Sequence, residues 1–311
     1  MTKIQIIGHK NPDTDATLSA LIMQDFLTKK WYSVIAYIQG ELNKETLYLL
    51  QKYQISKPEI KTSLDPALEV CLVDHNEASQ SIDNILECNV TWLIDHHKID
   101  FKTSNPLHMR IEPLCSTASI IYKMYQESAF EISKEVATLM LACIMRDSLL
   151  WKSPTTTDED KKITEKLQEI SGISDLESFA MPMFHAKSDV SDLSAKELIQ
   201  YDYKIFETNW VKYGSGAIET TSGNSILERK EEILGWLIEI KSEQNLDFIM
   251  LSVIDILQEK NMTIVCDGKD STIIQEVFWS QIINNVADLG NRLSRKKQII
   301  PQLTDYFNSL S

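Results

Sequence analysis

Ile4-Gln5-Ile6-Ile7-Gly8-His9-Lys10-Asn11-Pro12-Asp13-Thr14-Asp15 decides how the rest of the chain is read. The apolar run Ile4 to Ile7 reads as a buried strand that ends at Gly8. The polar residues His9 to Asp15 read as a tight loop, and apolar spacing through Leu18, Leu21, Ile22, Phe26 and Leu27 predicts a helix from about Ala16. In an α/β sheet such a loop lies at the carboxyl end of its strand, where these folds place their sites. It carries one imidazole and two carboxylates. Asp13 and Asp15 are also favoured helix caps, and capping alone would account for them if nothing else in the chain matched.

Two later runs do match. Glu69 to Val73 is an apolar strand that ends in Asp74-His75-Asn76-Glu77, and Val90 to Ile94 ends in Asp95-His96-His97. Ser33 to Ile38 reads as a further strand and Leu42 to Tyr53 as a helix. Strands alternating with helices predict a parallel sheet. Three of these four strands therefore end in groups that can ligate a metal.

Helices dominate the next stretch. Ser116 or Thr117 caps a segment running to Tyr125, and Ser133 opens another that reaches Arg146-Asp147-Ser148. A carboxylate at a helix C-terminus is disfavoured by the dipole, and a nearby cation removes the difficulty. Asp147 is thus a candidate ligand. After a helix over about 160–170, Ala186-Lys187-Ser188-Asp189-Val190-Ser191-Asp192 reads as a linker between a domain over 1–187 and a smaller one over 193–311. Beyond it the pattern predicts a helix from Ser194 to Phe206 that contains Lys204. Then come a strand from Tyr213 to Thr221, an amphipathic helix from Ile226 to Lys241, and strands over Phe248 to Ile256 and Met262 to Val265. The basic run Arg295-Lys296-Lys297 precedes a final short helix.

With 311 residues the chain can build two cores. Five cysteines, odd in number, widely spaced and never in a CxxC pair, argue against a disulfide framework and a thiolate zinc site. No apolar run approaches the roughly 18 residues that span a bilayer. The first residues turn polar too soon for a signal peptide, so a cytoplasmic protein is expected. A net charge of −14 lacks the basic footprint of a general nucleic-acid binder. Nine glycines leave no glycine-rich phosphate loop, so a phosphate would need side chains and metal.

The candidate ligands are His9, Asp13, Asp15, Asp74, His96 and Asp147. Imidazoles mixed with carboxylates suit a pair of first-row divalent ions, with Mn²⁺, Co²⁺ or Mg²⁺ favoured over thiolate-bound zinc. Two such ions roughly 3.5–4 Å apart can share a water and acidify it. Asp74, on a central strand, is the natural carboxylate to reach both.

GHKNPDTD at 8–15, VDHNE at 73–77, IDHH at 94–97, RDSLLWKSPT at 146–155 and SRKKQ at 294–298 together resemble the manganese-dependent family II inorganic pyrophosphatases of the DHH phosphoesterase superfamily. IEPLCSTASIIYKMY at 111–125 and LSAKELIQYDYKIF at 193–206 are similar too, and the length matches the form without CBS domains. The resemblance implies an α/β protein of two domains: a parallel-sheet DHH domain and a smaller mixed DHHA2-type domain, with the active site in the cleft between them. It implies hydrolysis of pyrophosphate to two phosphates by a hydroxide bridging two metals. His9 and Asp13 would bind one metal, Asp15, His96 and Asp147 the other, and Asp74 both. His97, Lys204, Arg295 and Lys296 would grip the pyrophosphate, for which Lys offers point charge and Arg a bidentate fork. Asp95 would orient an imidazole. Two Mn²⁺ or Co²⁺ per subunit, additional Mg²⁺ arriving with the substrate, and a homodimer through the N-terminal domain are implied as well.

Two departures stand out. Arg146 precedes Asp147 where the family has a small polar residue, and Ser148 follows where it has Thr. Whether Arg146 points away or tunes the metals stays open at this level. Asn291-Arg292-Leu293 replaces smaller residues ahead of the basic run. Another DHH phosphoesterase, cleaving short oligonucleotides or cyclic dinucleotides, is the nearest alternative, but the GGGH-type motif of those enzymes is missing. A regulatory protein without turnover would not be expected to keep every ligand and the basic clamp.

Overall fold

The structure, a computed structural model, describes residues 3–310. Met1, Thr2 and Ser311, which the expected domain spans include, lie outside the described residues. The chain divides into two compact units, Met1–Lys187 and Ser188–Ser311.

The first unit runs β1 (Lys3–Ile7), α1 (Thr14–Lys29), β2 (Ser33–Ile38), α2 (Lys44–Lys52), β3 (Glu59–Ile60), β4 (Glu69–Val73), β5 (Asn89–Asp95) and β6 (His108–Ile111). Four helices follow: α3 (Thr117–Glu127), α4 (Lys134–Ser148), α5 (Asp158–Ser171) and α6 (Leu176–Lys187). Its sheet has six strands in the order β3-β2-β1-β4-β5-β6, and every pairing is parallel. The chain works outward from β1 through β2 to β3, then returns to lay β4 on the other side of β1. That reversal is a topological switch point, and it opens a crevice at the carboxyl ends of β1 and β4. Ile7 pairs with Leu72, so the loop from Gly8 and the turn at Asp74 leave the sheet side by side. A Cβ on Gly8 would stand 2.5 Å from the Ala16 carbonyl oxygen, and only glycine lets β1 end so close to α1. On one side of the sheet Ile7, Leu72, Leu93 and Ile85 build an apolar core. α1 packs against α3 and α4, and α4 against α5.

The second unit runs α7 (Ala195–Gln200), β7 (Tyr203–Thr208), β8 (Val211–Thr220), α8 (Gly223–Leu227), α9 (Lys230–Glu243), β9 (Phe248–Asp255) and β10 (Lys260–Val265). It ends with α10 (Lys269–Phe278), β11 (Ile282–Ile283), β12 (Val286–Asp288), a π-helical turn at Arg295–Ile299 and α11 (Ile300–Ser309). The sheet order is β11-β12-β10-β9-β8-β7. β8 and β9 are parallel and the other pairings antiparallel, which makes the sheet mixed. β9 is buried along its whole length. Its alternation sends Ile249, Leu251 and Val253 into a core with α7 and α9, and Phe248 and Met250 into one with α10 and α11. The π turn is closed at both ends of the SRKKQ run. Ser294 Oγ accepts from Lys297 N at 3.3 Å, and Gln298 Oε1 accepts from Ser294 N at 2.9 Å.

Several expectations change. The helix expected over Ser194 to Phe206 stops at Gln200, and Lys204 lies on strand β7. Ser194 and Glu197 form a full capping box, so the helix start was legible. After Tyr201 and Asp202 the alternation of Tyr203-Lys204-Ile205-Phe206 pairs with β8 as an edge strand. Ala186 and Lys187, expected in a linker, are the last turn of α6. The helix expected from Ile226 is two helices, broken at Glu228 and Arg229.

Candidate functional site

At the crevice, Asp74 is the first residue beyond β4. It is buried and holds a left-handed backbone, φ 60°, that costs a non-glycine residue about 1 kcal/mol or more. Its Oδ2 lies 3.4 Å from His9 Nε2 and its Oδ1 3.3 Å from His96 Nε2. The two oxygens thus face different imidazoles from different strands, and Thr117 Oγ1 donates to Oδ1 at 3.0 Å.

Each imidazole has one nitrogen tied off. His9 Nδ1 donates to the Lys10 carbonyl at 2.7 Å and His96 Nδ1 to the Leu114 carbonyl at 2.9 Å, so both rings present Nε2 to Asp74. His97 Nδ1 donates to Asp95 Oδ1 at 2.8 Å, which leaves its Nε2 outward on a side chain 54% exposed. Asp95 is fully buried and also accepts from Asn76 and from the backbone amides of His96 and His97. It therefore orients His97, while the ring of His96 is set by a carbonyl. His75 is bound by Val73 O and Ser81 Oγ and faces structure.

Asp13 carries both of its readings at once. Its Oδ1 caps α1 by accepting from Ala16 N at 3.1 Å, and the same oxygen lies 3.4 Å from His9 Nε2. Asp15 is buried at the start of α1 and also meets the start of α3. It accepts from Ser19 Oγ at 2.9 Å, Ser116 Oγ at 2.8 Å and Thr117 N at 2.8 Å. Helix N-termini favour such a carboxylate. Ser116, not Thr117, is the cap of α3, accepting from Ala118 N. Thr117 instead joins Asp15 to Asp74, a role that no sequence signal beyond its place near a cap announced. Asp147 lies in the last turn of α4, one residue before its end at Ser148, and three left-handed residues, Leu149, Leu150 and Trp151, follow the helix. One of its oxygens is paired with Arg146, and the other, Oδ2, is buried without a hydrogen-bond partner among the described residues.

The clustered carboxylates and imidazoles shift one another's ionisation. Burial alone would lower the pKa of His9, but its hydrogen bonds to Asp13 and Asp74 raise it to about 11. His96, likewise opposed by burial, is raised to about 10 by Asp74 and Asp15. Burial opposes ionisation of Asp74 too, yet hydrogen bonds from His9 and His96 hold it well below the usual carboxylate range. Asp15 is pushed up to about 6, by burial first and then by the charge of Asp74. Asp147 is raised by burial and by Asp15 in spite of Arg146.

Two donor sets, His9-Asp13-Asp74 and Asp74-His96-His97, each gather within 4.8 Å and share Asp74. Oxygen and imidazole donors, an orphaned Asp147 oxygen and crowded carboxylates fit first-row divalent ions. Asp15 and Asp147 stand outside both sets, and His97 stands inside one. The crevice beside them is a cavity of about 450 Å³ lined by His9, Asp74, Asn76, His97 and Lys98 among others.

In the second unit Lys204, Arg295 and Lys296 line one cavity of about 830 Å³ with Asp202, Glu219 and Ser294. Arg295 is nearly buried. Its fork meets Asp202 Oδ1 at 2.7 Å, the Asp202 carbonyl, and the Ser215 carbonyl at 3.1 Å. The guanidinium that was expected to grip a substrate thus also ties the π turn to the start of β7.

Comparison with known proteins agrees with this architecture. The model of the DHH family N-terminal domain matches residues 3–144, and that of the DHHA2 domain matches residues 181–306. A Deinococcus radiodurans protein is 39% identical over 312 residues, 98% of each chain, and one from Staphylococcus epidermidis is 39% identical over 307 residues, 98% of this chain and 99% of its own. Both are named "Probable manganese-dependent inorganic pyrophosphatase". A crystal structure of a Methanococcus jannaschii protein assigned as a family II inorganic pyrophosphatase is 35% identical with a TM-score of 0.62, covering 98% of this chain and 99% of that one. Histidine and aspartate side chains gathered at the strand ends of a parallel DHH sheet and full-length identity near 39% lead to one conclusion: the chain belongs to the manganese-dependent, family II inorganic pyrophosphatases.

Proposed function

We propose that the protein hydrolyses inorganic pyrophosphate to two phosphates, using two divalent ions held at the β1/β4 crevice. The observation that carries this is Asp74, whose two oxygens face His9 and His96 separately. We assign His9 and Asp13 to one ion, Asp15, His96 and Asp147 to the other, and Asp74 to both. When bound, such a pair supplies an acidified water and neutralises phosphoryl charge.

The chain's own groups do the rest. Thr117 and the α3 N-terminus hold Asp74 and Asp15 in place, so little reorganisation is needed as charge develops. His97, whose pKa is raised by the hydrogen bond from Nδ1 to Asp95, acts as the imidazolium, with Nε2–H left to donate a hydrogen bond or proton to the departing phosphate. Lys204, Arg295 and Lys296 supply positive charge for a polyanionic substrate. Mn²⁺ is the metal supported by the names of the relatives. Co²⁺ as a substitute and Mg²⁺ entering with the substrate are part of the same proposal.

We also propose a cytoplasmic homodimer. β6 ends the first sheet as an edge strand with Met109 exposed, and such an edge is open to pairing with a second copy. Among the described residues no helix is long and apolar enough to cross a membrane.

The test is phosphate release from pyrophosphate with Mn²⁺ and, in parallel, release of mononucleotide or linear dinucleotide from a short oligonucleotide and a cyclic dinucleotide, followed by chromatography. Turnover of pyrophosphate alone is expected. Cleavage of a nucleotide with pyrophosphate untouched would move the protein to another branch of the superfamily.

A further inference from the structure

Arg146 is a permanently charged side chain that ion-pairs with two of the assigned metal ligands. It lies on the last turn of α4, directly before Asp147. Its Nη2 is 3.1 Å from Asp13 Oδ2, its Nη1 pairs with Asp147 Oδ1, and its Nε is 3.8 Å from Glu45 on α2. Glu45 is fully buried, and neither its carboxylate oxygens nor Arg146 Nε has a hydrogen-bond partner among the described residues. The fork therefore spans two carboxylates that come from separate segments and are assigned to different ions, with a buried carboxylate behind it. Arginine cannot shed its proton. Its charge stays when metal arrives, and the ions must share Asp13 and Asp147 with it or draw those oxygens away.

We propose that Arg146 is a resident cation of the metal centre: a positioning residue that holds Asp13 and Asp147 together in the metal-free protein and lowers the affinity for divalent ions. This rests on the assignment of the metal ligands above. Two consequences follow from charge alone. The metal-free protein gains stability from an otherwise repulsive cluster, and each incoming ion meets a fixed positive charge.

The experiment compares metal-stripped wild type with Arg146→Ser, Arg146→Gln and Asp74→Asn. Mn²⁺ binding is read by equilibrium dialysis, and thermal melting is followed with and without saturating Mn²⁺. Both Arg146 variants should bind Mn²⁺ at least about tenfold more tightly. Their metal-free melting temperature should fall while the Mn²⁺-saturated one holds. Should Arg146→Ser prove too unstable to purify, Arg146→Gln, which keeps the stem without the charge, must still show the tightening. Unchanged or weaker Mn²⁺ binding in the variant that folds overturns the proposal. Asp74→Asn separates the two levels. If it leaves Mn²⁺ binding intact, the ligand assignment itself is wrong. If it weakens binding while the Arg146 variants bind as wild type, only the role of Arg146 falls.

Discussion

His97 Nδ1 and Asp95 Oδ1 are 2.8 Å apart, and this one bond decides which face of His97 is available for chemistry. With Nδ1 donating, Nε2 is left for the substrate. Replacing Asp95 by Asn offers the ring an ambiguous partner and frees it to flip. We expect Asp95→Asn to lower kcat by about a hundredfold, a typical worth for a positioned proton donor. Mn²⁺ stoichiometry, measured by dialysis, should stay at the wild-type value. Loss of an ion would instead place His97 among the metal ligands, where its proximity to Asp74 and His96 also allows it to stand.

Asp74→Asn tests the shared ligand. One carboxylate oxygen becomes an amide that cannot serve a second ion. Turnover should fall by about a thousandfold or more, with metal content reduced, because one charge faces both imidazoles. A variant that kept two ions and near-normal kcat would remove Asp74 from its bridging place.

Metal binding should expel protons. The pKa values of His9 and His96, about 11 and about 10 against an ordinary 6.5, leave both rings protonated near neutral pH in the metal-free protein. A metal needs them neutral. Mn²⁺ titration by calorimetry in buffers of different ionisation enthalpy should show proton release at pH 7, and apparent affinity should rise with pH. The same raised values stabilise the metal-free fold. That contribution is complete below about pH 6.5 and is lost as pH climbs through 10 to 11. A binding enthalpy independent of buffer would contradict this.

Gly8→Ala should harm the fold and the site together. The added Cβ would meet backbone and side chain of Ala16 at 2.5 to 2.9 Å, so β1 and α1 must part. A loss of about 1–3 kcal/mol in denaturant unfolding is expected, with weakened Mn²⁺ binding through displaced His9 and Asp13. Wild-type stability would mean that the loop has slack the packing does not show.

What the sequence made legible follows physical rules. β1, β4 and β5 are buried on both faces and read as continuous apolar runs, so their polar ends stood out as the site. β3, two exposed residues, and β6, with His108 and Met109 exposed, lie at the sheet edges and carry no such run. Ser194 and Glu197 announce a helix start clearly, but no comparable signal marks its early end at Gln200, so the local pattern does not show that Lys204 lies on a strand. α6 gives no clear helical signal, because Pro182 inside it breaks the usual pattern. The direction of Arg146 depends on a buried Glu45 from another segment, and no local pattern carries that.

The central claim, pyrophosphate hydrolysis by two ions around Asp74, is tested most directly by titrating Mn²⁺ into metal-stripped protein while phosphate release is followed. Activity should be absent at the start, rise with added Mn²⁺ and level off at two ions per chain. Full activity without metal, or a plateau at one ion per chain, would contradict the account.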